Sequence, residues 1–398
     1  MAKKILTVPG FQFSGISAGI KEGNKLDLAL IYSEIPATVA GVFTTNRVQA
    51  APVVVSKKNI RSGIARAVIV NSGNANACTG KKGLRDAEQM VKATARALRV
   101  PDRQVLVCST GKIGLPLPID RIVKQIPSAV KNLSPNGLMK SAKAILTTDN
   151  SVKIAASGGK IGGKSYRLIG FAKGAGMVEP HMATMLAFVM TDLDLPRAVL
   201  KSIFQKTVDQ TFNRITVDGD TSTNDTALIL ANGAAGNRPF SEKSPEGRRF
   251  QKNLFQVLDS LARQMVVDGE GATKCVRIEV RGARHSGDAQ KVAYTVANSP
   301  LVKTSFFGED PNWGRIVGAA GRSGATLNPD RIDIYYHEAC VARRGVSTGP
   351  QNETKAKKIM RYPQFTVTID LHQGQGSFQV YASDLSLDYV KLNSCYRS

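Results

Sequence analysis

Short apolar runs separated by glycine-rich segments dominate the first half of the chain and predict buried strands. Residues 67–70 and 105–107 are uninterrupted apolar runs, each followed by a loop segment that contains Ser or Thr together with Gly. Runs of this length with turn residues after them are typical of strands buried on both faces. Residues 83–98 instead repeat apolar positions at helical spacing and predict an amphipathic helix, with its apolar side at Leu84, Ala87, Val91, Ala95 and Leu98.

The rest of the chain continues this mixture of helical and strand patterns. Helices are expected at residues 118–126, 135–144, 196–212 and 250–267, and buried strands at 185–190 and at 226–230, the last of which could also begin a helix. The alternating segments 276–281, 331–336 and 364–371 predict half-buried strands. The polar segment 239–249 predicts an exposed loop, and residues 350–358 predict a polar surface segment. We expect a mixed α/β (α+β) protein, with a boundary near residue 280 and a smaller unit beyond it.

Composition narrows the class of protein. The chain has 398 residues, of which 42% are hydrophobic and 21% are charged, as in globular proteins. No apolar stretch reaches the roughly 18 residues of a membrane-spanning helix, and residues 1–10 lack the apolar run of a signal peptide. We therefore expect a cytoplasmic protein. The five cysteines are widely spaced and the four histidines lack metal-ligand spacing, so neither a disulfide framework nor a metal site is expected.

The formal net charge of +23 raises the question of nucleic-acid binding. However, the basic residues are dispersed along the chain, and aromatic residues, which would stack on bases, make up only 6%. A positive field can also attract acidic metabolites, and a basic, solvated surface explains the same composition. We expect no nucleic-acid partner.

One segment matches the residue pattern of a nucleotide-binding motif but lacks the structural context that this motif requires. Residues 158–165, GGKIGGKS, fit the phosphate-binding pattern GxxxxGK[ST]. That pattern requires a helix directly after it, because the helix N-terminus binds the phosphate. Here a strand pattern, residues 166–171, follows instead. Together with residues 152–156 it predicts a β-hairpin with a glycine-rich turn.

The segment that points to chemistry is residues 173–186, KGAGMVEPHMATML. Glycines 174 and 176 have no side chains to cover the backbone next to Lys173. The small side chain of Ala183 leaves the peptide bond that follows it sterically open. Thr184 then has its hydroxyl at the start of a buried strand, where a self-cleaving nucleophile would lie. Spacing alone does not distinguish this role from that of an ordinary strand residue.

This segment resembles the cleavage site of the ornithine acetyltransferase/glutamate N-acetyltransferase family of arginine biosynthesis. Further blocks similar to that family occur in family order over nearly the whole chain: residues 41–53 (GVFTTNRVQAAPV), 71–80 (NSGNANACTG), 109–114 (STGKIG), 146–150 (LTTDN), 212–226 (FNRITVDGDTSTNDT), 268–274 (DGEGATK), 306–316 (FFGEDPNWGRI) and 388–398 (DYVKLNSCYRS). The resemblance implies a layered αββα core of two stacked sheets between helices, with a smaller mixed C-terminal domain, approximately residues 1–280 and 281–398.

The resemblance also implies a mechanism. Thr184 attacks the Ala183 carbonyl and cuts the precursor into residues 1–183 and 184–398, which stay together as an α2β2 assembly. The freed α-amine, with a reference pKa of about 7.7–8.0, can accept the Thr184 hydroxyl proton. Thr184 then carries acetyl from N2-acetyl-L-ornithine to L-glutamate as an ester. Thr110 and Gly111 would form the oxyanion hole, whose donors stabilise the negative oxygen of the transition state.

Substrate contacts follow from the resemblance in the same way. They are expected at Thr147, Lys173, Thr184, Glu270, Asn393 and Ser398, with Lys173 facing a carboxylate and Glu270 an amine. No cofactor or metal is implied, although some members also acetylate glutamate from acetyl-CoA, and the sequence leaves this activity open. Two alternatives also stay open: a related N-terminal-nucleophile amidohydrolase or aminopeptidase that passes the acyl group to water, and an acetyltransferase with a different substrate.

Overall fold

The protein is a mixed α/β structure built from two sheets. A computed structural model describes residues 6–179 and 185–395. The strands within these residues are β1 (Phe11–Ile16), β2 (Leu28–Phe43), β3 (Ile64–Asn74), β4 (Val105–Lys112), β5 (Lys153–Ile161), β6 (Lys164–Lys173), β7 (Leu186–Thr191), β8 (Ile215–Thr216), β9 (Thr226–Ala231), β10 (Cys275–Ala283), β11 (Asp333–Tyr336), β12 (Ala339–Arg343), β13 (Val346–Ser347), β14 (Gln364–Asp370) and β15 (Gly376–Ser383).

The helices lie between and around these strands. They are α1 (Ala51–Asn59), α2 (Gly80–Leu98), α3 (Ile119–Lys131), α4 (Leu138–Ala144), α5 (Arg197–Gln210), α6 (Pro245–Val267), α7 (Ser286–Ala297), α8 (Pro300–Phe307), α9 (Trp313–Gly321), α10 (Pro350–Met360) and α11 (Leu387–Cys395). No helix in the described ranges is long and apolar enough to cross a membrane.

The first sheet has eight strands and folds back on itself. Its order is β4-β3-β2-β9-β7-β6-β5, with β1 also paired to β2. Strand β2 is 16 residues long and joins the two halves, because its first part pairs with β1 and β3 and its last part, residues 38–43, pairs with β9. The two halves face each other across an apolar layer, where the rings of Phe13 in β1 and Phe171 in β6 lie 6.5 Å apart between centroids.

Alternation along the strands produces the layers that the sequence predicts. In β3, Val68 and Val70 point into the layer between the two halves, whereas Ala67 and Ile69 pack against α2 and α3 outside it. In the other half, alternate residues of β6, β7 and β9 pack against α5 and α6. Since side chains on a strand point to opposite faces in turn, fully apolar strands of this kind need cover on both sides. The predicted αββα core is confirmed.

The second sheet has seven strands in the order β13-β12-β11-β14-β10-β15-β8. Helix α7 covers β10 and β15, and the sheet has its own apolar core. Strand β8, from the middle of the chain, pairs in parallel with β15, so this sheet adjoins the region that precedes it. The mixed C-terminal region is therefore built around a separate sheet.

The glycine-rich segment of residues 158–165 is a hairpin, as predicted. Strands β5 and β6 are antiparallel, and Ile161 pairs with Lys164 across a two-residue turn. Gly162 and Gly163 in that turn have φ values of 54° and 77°. Two successive positive φ angles are typical of a type I′ hairpin turn, which glycine adopts without strain. A strand, and not a helix, follows, so the phosphate-binding interpretation fails.

Two sequence predictions were wrong. Residues 239–249 are not entirely a loop, because α6 begins at Pro245 after Ser244, whose hydroxyl accepts a hydrogen bond from the Gly247 amide at 3.1 Å. Residues 350–358 lie at the surface, as predicted, and are helical, within α10. Leu84 lies on α2 but is 37% exposed, so it is outside the buried stripe of that helix.

Candidate active site

One cavity of about 180 Å³ collects most of the residues that the sequence assigns to the site. Its wall includes six of them, from five separate segments of the chain: Thr110, Gly111, Thr147, Lys173, Glu270 and Asn393. Thr148, the next residue in the same LTTDN block, lines it as well. Residues far apart in sequence therefore meet where strands β4 and β6 end.

Thr110 and Gly111 belong to strand β4 itself, although the composition of Ser109–Gly111 is typical of a turn. The strand continues because β3 continues beside it in parallel, with Ser72 paired to Thr110 and Gly73 to Gly111. Gly111 has a φ of 130°, outside the range that other residues adopt readily. The Thr110 hydroxyl oxygen accepts a hydrogen bond from Lys173 Nζ at 3.3 Å. The hydroxyl hydrogen is therefore available to an acceptor in the cavity.

Lys173 ends β6 and is only 3% exposed. Burial lowers the pKa of its ammonium, and the nearby carboxylate of Asp149 opposes that change. Asp225 and Glu270 also favour the charged form of Lys173. A buried cation beside a small cavity is suited to hold an anionic group of a ligand.

Beneath Lys173 lies a buried network of ion pairs. Lys153 Nζ contacts Asp149 at 2.7 Å and Asp268 at 2.5 Å, and the Lys153 and Asp149 side chains have no exposed surface. Asp149 also accepts hydrogen bonds from the backbone amides of Gly174 at 2.7 Å and Thr147 at 3.1 Å. The network thus ties the residue 147–149 segment to the end of β6, and so positions two walls of the cavity.

The Asp149 carboxylate should make stability depend on acid pH. Burial alone would raise its pKa, but Lys173, Lys153 and the Gly174 amide outweigh that effect and hold the pKa at about 2. A carboxyl with a depressed pKa stabilises the fold above its unfolded value of about 4 and loses this contribution as the pH falls toward 2. Asp149→Asn should therefore lower the free energy of unfolding by roughly 2 kcal/mol at pH 7 and by about half as much at pH 3.

Urea unfolding of the wild type and Asp149→Asn at both pH values measures this difference. The control is Asp120→Asn, which changes an exposed carboxylate on α3 and should have little effect at either pH. An Asp149→Asn deficit that is as large at pH 3 as at pH 7 would contradict the ion-pair explanation.

Glu270 also lines the cavity and is 7% exposed. Its backbone amide donates to the Ala175 carbonyl at 2.8 Å, and its side chain accepts from Asn393 Nδ2 at 2.9 Å. Gly176 leaves room for this carboxylate, because a Cβ there would lie 2.3 Å from a Glu270 oxygen. Helix α11, which carries Asn393, therefore closes the cavity on the side of the acidic group.

Several lining residues were missed by the sequence analysis. Asp218, Asp220, Ser222 and Asn224 all line the cavity and all lie in the quoted block 212–226, while Tyr389 lies in the block 388–398. Burial raises the pKa of Asp218 to about 6, although the Met177 and Val178 amides donate to it. The available signal for these residues was the high density of Asp and Asn in the first block.

Ala183, Thr184 and Ser398 lie outside the described residues. The residues that follow Thr184 are nevertheless well placed relative to the cavity. Leu186 in β7 pairs directly with Lys173 in β6, and the Met185 amide donates to Asp225 Oδ1 at 2.8 Å. In the described ranges no cluster of three or more His, Cys, Asp or Glu residues could hold a metal ion.

A layered αββα fold with a small cavity that combines buried cationic and anionic groups defines an enzyme for small charged substrates. Known proteins identify the family. The ArgJ family model matches residues 12–398. The "Arginine biosynthesis bifunctional protein ArgJ" of Geobacter sulfurreducens is 51% identical over 99% of this chain and 100% of its own length, and the protein of the same name in Syntrophotalea carbinolica is 48% identical over 99% and 100%. This chain belongs to the ArgJ family.

A solved structure agrees with this assignment. The crystal structure of arginine biosynthesis bifunctional protein ArgJ from Bacillus halodurans is 38% identical, with a TM-score of 0.51, and the match covers 52% of this chain and 98% of that one. The crystallised chain is thus about half as long as the present one.

Proposed function

We propose that this enzyme transfers acetyl from N2-acetyl-L-ornithine to L-glutamate in arginine biosynthesis, through an acetyl ester on Thr184. The observation that carries the proposal is that Thr110, Gly111, Lys173 and Glu270 all line one cavity. Leu186, which follows Thr184 by two residues in the sequence, pairs with Lys173 of this cavity. The names and full-length similarity of the ArgJ relatives support the pathway.

The charges of the cavity suit amino-acid substrates. Lys173 can bind the α-carboxylate, because it is a buried cation with one hydrogen bond directed at Thr110. Glu270 can bind the free ammonium of ornithine, and Asn393 holds that carboxylate in place. The oxyanion that forms when Thr184 attacks the acetyl carbonyl would accept hydrogen bonds from the Thr110 hydroxyl and the Gly111 amide.

We further propose that maturation cuts the precursor into residues 1–183 and 184–398, which stay associated and form an α2β2 assembly in the cytoplasm, with structural domains of approximately 1–280 and 281–398. Sheet pairing supports the association. Strand β7 of the second fragment lies between β9 and β6, and β2 of the first fragment pairs with β9 of the second. Cutting between residues 183 and 184 leaves these hydrogen bonds intact. The length of the Bacillus halodurans chain agrees with a two-chain mature form.

Mass spectrometry of the acetylated enzyme tests the proposed reaction. The wild type is incubated with N2-acetylornithine carrying a labelled acetyl group, then denatured and weighed. We expect one labelled acetyl group on the 184–398 fragment. When glutamate is added, this label should leave the fragment, and labelled N-acetylglutamate should appear. Release of the label as acetate, without transfer to glutamate, would instead favour the amidohydrolase alternative. A parallel incubation with labelled acetyl-CoA establishes whether this chain also uses that donor.

A further inference from the structure

Lys21 does not line the cavity, but its side chain contacts a segment that does. Its Nζ donates hydrogen bonds to the Leu146 carbonyl at 2.6 Å and to the Leu26 carbonyl at 3.1 Å. Leu146 directly precedes Thr147, which is part of the cavity wall. Lys21 therefore holds the peptide group through which Thr147 is attached to the preceding chain.

The same side chain lies against the end of strand β3. Gly73 leaves the space for it, because a Cβ there would lie 3.0 Å from Lys21 Cγ and 3.1 Å from Ile20 Cγ2. Gly73 in turn pairs with Gly111 of β4, one of the two expected oxyanion donors. Lys21 thus connects the pair of strand ends that carries Gly111 with the segment that carries Thr147.

A buried carboxylate fixes the backbone of Lys21. Asp27 is fully buried, and its carboxylate accepts hydrogen bonds from the backbone amides of Ala18 at 2.5 Å, Ile20 at 2.6 Å and Lys21 at 2.9 Å. The Asp27 carbonyl also accepts a hydrogen bond from the Ser72 amide of β3 at 2.9 Å. The position of the Lys21 backbone is therefore determined by Asp27 and by β3.

The surroundings of Lys21 disfavour its positive charge. Burial lowers the pKa of its ammonium to about 8. Asp27 and Asp149 oppose this change, whereas Lys173 and Lys25 add to it. An apolar side chain would avoid the cost of placing a charge in this partly buried site. The two hydrogen bonds to carbonyl groups require a long side chain with donors at its end, so the contacts of Lys21 account for its presence.

We propose that Lys21 is a positioning residue of the active site, which fixes the Thr147 segment relative to the Gly111 end of β4. The inference rests on the proposed function, since it assigns no separate activity. A displacement of about 1 Å in an active site can cost roughly 100-fold in rate. A side chain that joins two walls of the cavity therefore acts on kcat, while Lys173 and Glu270 would still bind the charged groups of the substrates.

Lys21→Met removes the anchor and keeps the apolar stem. Methionine can still lie over Gly73, but it has no donor for the Leu146 carbonyl. We expect kcat to fall by about 10- to 100-fold, with KM for N2-acetylornithine and for glutamate changed by less than about threefold. Lys21→Arg, which keeps a cation with several donors, should restore kcat to within about fivefold of the wild type.

Lys25→Met is the matched control. Lys25 is exposed, lies four positions further along the chain, and its removal changes the net charge by the same amount. It should keep the wild-type kcat and KM. Circular dichroism reports folding, and intact mass gives the concentration of cut enzyme on which kcat is based. If Lys21→Met does not fold, Lys21→Gln, which has a polar but shorter side chain, takes its place with the same expected result.

A folded and cut Lys21→Met enzyme with wild-type kcat would overturn the proposal. An equal loss of kcat in Lys25→Met would also overturn it, because the effect would then come from net charge. So would a Lys21→Arg enzyme as slow as Lys21→Met, because the donors to the carbonyls would then be irrelevant. If Lys21→Met is folded but uncut, a cut Lys21→Arg supports the proposal and an uncut one overturns it.

Failure of the proposed function gives a different result from all of these. The wild type itself would then form no labelled acetyl-enzyme and would transfer no acetyl group to glutamate.

Discussion

Thr184→Ala is expected to remain a single uncut chain and to lose acetyl transfer by a factor of about 10⁴ or more. The hydroxyl is needed twice, first to attack the Ala183 carbonyl and then to carry the acetyl group. Alanine removes it from both steps, and the uncut chain also lacks the α-amine that would accept the hydroxyl proton. The expected loss is therefore larger than for any substrate-binding residue of the cavity.

Intact mass and a labelled-acetyl assay measure both consequences. Thr184→Ser retains a hydroxyl at the same position and should be cut and partly active. Thr191→Ala, at the last residue of β7, removes a hydroxyl that donates to the Arg167 carbonyl, and it should be cut like the wild type. Two fragments meeting at residues 183 and 184 in the Thr184→Ala protein would disprove the assignment of the nucleophile.

The strands around the site could be predicted from sequence because local and tertiary forces agree there. Residues 185–190 are entirely apolar, and β7 is indeed buried on both faces, between the interior layer and the α5–α6 layer. The hairpin of β5 and β6 has Gly162 and Gly163 in the turn, so its local signal needs no tertiary support.

The sequence analysis missed elements of the fold where the local sequence pattern was weak or where tertiary contacts outweighed it. The α6 start was detectable, because Ser244 followed by Pro245 is a common helix beginning, but the polar character of the segment concealed it. Helix α10 was not predicted as a helix, because with only two buried residues, Ala356 and Met360, it lacks a broad apolar stripe. Ser109–Gly111 resembles a turn in isolation, and only pairing with the end of β3 extends the strand through it.

The candidate site was also only partly predictable from sequence. The residues that line the cavity lie in sequence blocks similar to the family, but the residues that they contact are determined by the tertiary structure. Nothing in the sequence indicates that Lys153 would pair with Asp268, 115 positions away, or that Asp225 would bind the Met185 amide. Such contacts form where strand ends and connecting segments converge, and a pattern along the chain does not contain that information.

Gly111→Ala should lower kcat by roughly 10²–10³-fold, the usual effect of losing one oxyanion-hole donor. A Cβ at Gly111 would lie 2.4 Å from the Gly73 carbonyl carbon and 2.6 Å from the Asn74 nitrogen. Both atoms belong to the backbone of β3, which cannot move aside as a flexible side chain could. The ends of β3 and β4 must therefore separate, which displaces the Gly111 amide and the neighbouring Thr110 hydroxyl.

Gly114→Ala is the control that isolates this displacement. Gly114 also has a positive φ, 81°, but a Cβ there would meet no atom within 4 Å. Both variants should lose about 1–2 kcal/mol of stability from the backbone conformation, whereas only Gly111→Ala adds the collision with β3. Steady-state kinetics are compared at a temperature where circular dichroism shows both proteins folded. Equal kcat values for the two variants would mean that the end of β4 does not supply the oxyanion donor, because the control shares every change except the movement of that strand end.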